Sequence, residues 1–76
     1  MIVANKNYRI HQNLLTLPAL DSKLHIEINL ISWYNKEPAY DIRKWSDDHE
    51  TMSKGITLNK KEYEALKAQF KEEDNL

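Results

Sequence analysis

The chain has no cysteine, one glycine and two prolines among its 76 residues. The missing thiols exclude disulfides and thiolate metal sites, and they fit a reducing compartment, so a cytoplasmic protein is expected. With Gly55 as the sole glycine, a glycine-rich phosphate loop is excluded, and turns must be built from Asn, Asp, Ser and Pro. No apolar run approaches the roughly 18 to 20 residues of a bilayer span, so no membrane partner is expected. The first ten residues carry no positively charged lead and no small-residue cleavage site, and they read as no signal peptide. A large charge of one sign is also missing: the formal net charge is -1. Bulk positive charge therefore cannot coat nucleic acid here, and any basic surface must come from geometry. A chain this short buries only a thin core, which makes a partner subunit an extra source of stability.

What is present is a sequence of short alternating segments followed by one helical segment. Tyr8 to Leu17 alternates unevenly and stops at Pro18, which has no N–H for a central ladder. Leu24 to Trp33 alternates cleanly, with Leu24, Ile26, Ile28 and Leu30 on one face and His25, Glu27, Asn29, Ile31 and Trp33 on the other. The aliphatic face is expected to pack inward. Residues 34–38 form a turn, and residues 39–45 a third strand with Tyr40 and Ile42 inward and Asp41, Arg43 and Trp45 on the opposite face. A polar loop, 46–53, leads to a fourth strand at 54–58, with Ile56 and Leu58 inward. Asn59 is then the N-cap of a helix over about 60–72, and Glu62 completes a capping box. Tyr63, Leu66 and Phe70 form a stripe at helical spacing, to be buried as core or as a dimer seam. The order β-β-β-β-α predicts an α+β fold, a single domain over 1–76 with a four-stranded antiparallel sheet and one C-terminal helix.

Arg43 and Trp45 are two apart on a strand and so share one side of the sheet. Trp33 has the same parity, Tyr34 sits in a turn where its ring can reach out, and Lys36 and Lys54 flank the strands. A cation beside an exposed aromatic suits the grip of a single nucleic-acid strand, in which the cation meets phosphate and the ring stacks on a base. The blander alternatives are a cation–π pair that only covers the sheet, or a face hidden by a partner or the first strand. Asp47-Asp48-His49-Glu50 does not match known metal spacings. It lacks a second His four residues on, and it lacks the alternating acids and central Gly of a calcium loop. It reads as a solvated loop that blunts edge pairing. His11 and His25 read as isolated surface or half-buried imidazoles. No Ser or Thr has a recognisable His and acid arrangement, so no catalytic residue, metal or cofactor is expected.

The run Tyr40-Asp41-Ile42-Arg43, then Trp45, then Lys54-Gly55-Ile56-Thr57-Leu58 and the helix with Tyr63 and Leu66 resembles the positive cofactor four family of transcriptional coactivators. Within it, the small bacterial YdbC-type members are most similar, and the match covers about residues 24–70. The resemblance implies a curved four-stranded sheet, a homodimer made largely through the helices, and binding of single-stranded DNA across the sheet. It implies roles in transcription, replication, recombination or repair, a possible link to the transcription machinery, and an association with the nucleoid. The family's DNA contacts fall here on Tyr34 with Lys36, on Arg43, on Trp45 and on Lys54. The chain departs from the family pattern in four ways: the turn from Tyr34 to Pro38 contains Glu37 and only one Lys and so is less basic than in the eukaryotic coactivators, Trp45 follows Arg43 by two residues rather than three, Asp47 stands where a Pro is usual, and Ser53 where a Gly is frequent. The expected function is single-stranded DNA binding with little sequence preference. Arg43, Lys54 and Lys36 would meet phosphates, and Trp45, Trp33 and Tyr34 would stack on bases. The alternative is a protein-interaction module that docks on a transcription or replication component.

Overall fold

The computed structural model describes residues 3–4, 7–20 and 22–73. The elements in chain order are β1 (Val3–Ala4), β2 (Tyr8–Thr16), β3 (His25–Trp33), β4 (Ala39–Trp45), β5 (Ile56–Leu58) and α1 (Lys60–Glu73). Each strand pairs antiparallel with the next, so the sheet order is the chain order. The four expected strands and the helix are all present. The two-residue edge strand β1 is additional, and it is too short for alternation to mark it in the sequence. Among the described residues, no helix is long and apolar enough to cross a membrane.

Local chemistry sets the element ends. Leu17 N–H still donates to Ile26 O (2.9 Å), after which Pro18 has no donor to continue the ladder. The turn after β3 is closed by Lys36 N–H donating to Trp33 O at 2.9 Å. Its central residues, Tyr34 and Asn35, have φ of 50° and 62°. Positive φ at both positions matches the right-handed twist of the flanking strands; Asn tolerates it well, an aromatic residue poorly. Helix α1 starts on the expected capping box: Glu62 N–H donates to Asn59 Oδ1 at 2.8 Å, and Asn59 N–H to Glu62 Oε1 at 2.9 Å.

The core lies on the face opposite to the one expected. Tyr8, Ile10, Ile31 and Trp45 form the buried apolar cluster, with Trp33 packed against it. Leu24, Ile26, Ile28, Leu30 and Ile42 are only half-buried, and Ile56 is exposed. Curvature is the reason. Register shifts in β2, between Ile10 and Gln12 and between Asn13 and Leu15, bend that strand. Tyr8 pairs with Trp33 at one end of β3 and Trp45 pairs with His25 at the other, yet the Tyr8 and Trp45 rings are 5.2 Å apart. The two ends of the sheet therefore meet across its concave side, and that side becomes the interior. The aliphatic face is left convex. Helix α1 covers only its β4–β5 edge, where Tyr40 and Tyr63 stack with centroids 4.0 Å apart. Tyr63 and Leu66 are half-buried there, while Phe70 stays 62% exposed.

Candidate nucleic-acid interface

Arg43 is the centre of the rim of the concave face. Asp41, fully buried and two residues before it on β4, accepts from Arg43 Nε at 2.6 Å and from Nη2 at 2.8 Å. Thr57 on β5 donates to the same carboxylate at 3.0 Å. This two-point contact fixes the plane of the guanidinium. One side of that plane meets the Trp33 ring, 4.5 Å from the Arg43 Cζ to the ring centroid. Nη1 reaches Ser53 O at 3.4 Å and Met52 Sδ at 3.5 Å, which ties the end of loop 46–53 to the same group. The chain then passes directly over β4: a Cβ on Gly55 would stand 2.5 Å from both Arg43 Cβ and Ile42 O. Only glycine allows that approach, so Lys54-Gly55 is where the sole glycine is needed.

The expected binding residues separate on this scaffold. Tyr34 is 65% exposed, and Lys36 and Lys54 are exposed. Trp33 is half-buried between Tyr8, at 5.6 Å between centroids, and Arg43. Arg43 retains 14% of its side-chain surface. Trp45 has to be corrected: it is fully buried, so its ring is closed to a base. It packs against Tyr8 and His49, and loop 46–53 folds back over it through Ser46 N–H donating to Thr51 O (2.9 Å) and a bridge from Trp45 to Met52. Placed two residues after Arg43, the ring has the concave parity, and in a strongly curled sheet that parity leads into the core.

A second cluster was not foreseen. Glu27 is buried on the concave face and accepts from His25 Nε2 at 2.5 Å, from His49 Nε2 at 2.9 Å and from Asn29 Nδ2 at 2.9 Å. Burial pushes its carboxyl upward, but the hydrogen bonds from Asn29, His25 and His49 and the charge of His49 outweigh this and hold it below the ordinary range. His25 also faces outward, its Nδ1 3.3 Å from Asp47 Oδ1. The solvated-loop expectation therefore holds for Asp47, Asp48 and Glu50, which are exposed, but not for His49, which is turned inward and buried. A φ of 60° turns it, and Tyr8 Oη donates to its carbonyl at 2.7 Å. His25 and Glu27 share a face two residues apart and could have been paired from the sequence. His49, 22 residues from Glu27, joins them only through the fold of the loop.

Comparison with known proteins places this architecture. The family described as Transcriptional Coactivator p15 (PC4) matches residues 19–69, which span β3, β4, β5, most of α1 and every candidate interface residue. An uncharacterized protein of Treponema pallidum (strain Nichols) is 38% identical over 61 residues, covering 80% of this chain and 72% of that protein. The chain belongs to the transcriptional coactivator p15 (PC4) family, a family of nucleic-acid-binding, transcription-related proteins.

Proposed function

We propose that the protein binds single-stranded DNA with little sequence preference, as a homodimer, in transcription regulation or in DNA replication, recombination or repair. The observation that carries this reading is the turn at Tyr34. The residue is held at φ 50° with its ring 65% exposed, while its N–H donates to Asn7 O at 2.8 Å. A bulky side chain in the left-handed region is costly to the fold, and such strain concentrates at binding sites. The ring stands one residue from Trp33, which carries Arg43 on its face.

In this mechanism Tyr34 stacks on an unpaired base, contributing about 1 to 3 kcal/mol, and the accessible edge of Trp33 extends the platform. Lys36 and Lys54 meet phosphates. Arg43 uses the donor capacity that Asp41, Ser53 and Met52 leave, oriented in advance and so with little entropy to lose. Trp45 supports the site from beneath. Duplex DNA binds poorly, because its stacked bases cannot reach the rings. The convex face, with Ile56 and Phe70 exposed, and helix α1 supply the seam between two copies.

That same apolar convex face, together with the net charge of -1, favours the second reading, a module that docks on a transcription or replication component. Tryptophan fluorescence separates the two. The protein is titrated with oligo-dT and with a duplex of equal length, each at two salt concentrations. Quenching by the single strand only, weakened by salt, is the expected result. No change in fluorescence would remove Trp33 from the platform, and no shift of oligo-dT in a native gel would overturn the DNA reading and leave the docking module.

A further inference from the structure

We infer that His25, Glu27 and His49 form a site for one divalent transition-metal ion of the zinc class, held between strand β3 and loop 46–53. Each residue offers one ligand atom, and these atoms all lie within 4.8 Å of one another. The spacing suits a single ion: tetrahedral ligands about 2.0 to 2.2 Å from a metal stand roughly 3.3 Å apart. To reach that separation, the contacts from Glu27 Oε2 to His25 Nε2 (2.5 Å) and to His49 Nε2 (2.9 Å) open by less than about 1 Å, while the two histidine nitrogens, within 4.8 Å of each other, close by up to about 1.5 Å through side-chain rotation.

The donor set decides the class of ion. Two imidazoles and one carboxylate suit zinc, cobalt and nickel, whereas magnesium and calcium call for oxygen ligands. The surroundings are those of a metal site as well. The outer nitrogen of His25 faces the Asp47 carboxylate at 3.3 Å, the arrangement that orients a ligating imidazole. Asn29 Nδ2 donates to Glu27 Oε1 at 2.9 Å and orients the carboxylate, with Oε2 facing both histidines and Oε1 also 3.1 Å from His49 Nε2. His49 is brought inward by a left-handed backbone and by the Tyr8 hydroxyl on its carbonyl, a contact that joins β2 to the loop. The bound ion would staple loop 46–53 to β3 above Trp45 and set the path of the chain into Lys54. Solvent supplies the fourth ligand. The site stands apart from the DNA reading and needs no nucleic acid to be tested.

The test uses the full chain, freed of metal with a chelator and titrated with zinc chloride by calorimetry and with cobalt chloride by visible absorption. Saturation at one ion per chain, ligand-field bands of four-coordinate cobalt, and a melting temperature raised by zinc but not by magnesium are expected. His49→Ala and Glu27→Gln should lose the bands. Because those residues are buried and the variants could unfold, Asp47→Asn provides the second measurement. Asp47 is fully exposed, and its loss should weaken zinc binding about 10- to 100-fold in a folded protein. Binding without saturation at one ion, or the absence of cobalt bands in the wild-type protein, would overturn the site, and an Asp47→Asn protein with unchanged affinity would overturn the orienting role of Asp47.

Discussion

Trp45 and Tyr34 show how differently two aromatic residues can serve one surface. Trp45 is among the largest fully buried side chains, so Trp45→Ala should destabilise the fold by about 3 to 5 kcal/mol, read from urea denaturation. Any loss of DNA binding in that variant should follow the loss of folded protein. Tyr34→Gly should do the reverse. Glycine accepts φ 50° without the Cβ clash, so stability should hold or rise by up to about 1 kcal/mol. Affinity for oligo-dT should fall by about 1 to 3 kcal/mol, measured by fluorescence titration. A Tyr34→Gly protein that binds unchanged would remove the ring from the interface. Parity along β4 was legible in the sequence and put Arg43 and Trp45 on one face. It could not say that Arg43 would stop at the rim, held by Asp41, while Trp45 went beneath the loop, because that depends on how far the sheet curls.

At the scale of the element, the helix and the β4–β5 crossing carry the clearest energetic consequences. The reciprocal bonds between Asn59 and Glu62 satisfy two donors that a helix start leaves orphaned. Asn59→Ala should therefore cost about 1 kcal/mol, seen as a lower denaturation midpoint. Gly55→Ala should cost about 1 to 3 kcal/mol, because the new methyl meets the Ile42 carbonyl, part of a backbone that cannot yield as a flexible side chain would. Hydrogen exchange should accelerate in β5 in that variant. The cap was fully legible, since it is made by residues three apart. The close crossing was marked only by the glycine itself, whose neighbour Arg43 lies twelve residues earlier.

For the whole molecule, the decisive feature is that one curled sheet has two unequal faces. The concave face is filled by its own side chains and by His49 from the loop, while the convex face is apolar and only partly covered by α1. Phe70, 62% exposed, lies on the helix proposed as the seam of the dimer. Phe70→Lys should shift the protein toward monomer in light scattering, with little change in the monomer's secondary structure. A dimer that persists in Phe70→Lys would place the seam elsewhere on the convex face. Weaker oligo-dT binding is expected together with dissociation, because a dimer offers two linked sites to one strand.

The sequence alone determined the order of the four strands after β1 and of the helix, the helix cap, the turn at Tyr34 and the two faces of the longer strands, because periodicity and capping act over a few residues. Tertiary structure decided which face became the interior. Alternation assigns side chains to faces but not a sign of curvature, and the register shifts of β2 bend the sheet so that the mixed polar and aromatic face closes on itself. It also decided that Glu27, Asn29 and Asp41 would be buried, since each finds a hydrogen-bond partner on another element, His49, Asn13 and Thr57 respectively, that offsets the loss of water. The meeting of His49 with His25 and Glu27 belongs to that level as well: a loop residue finds its partners only once the chain has folded over the strand that bears them.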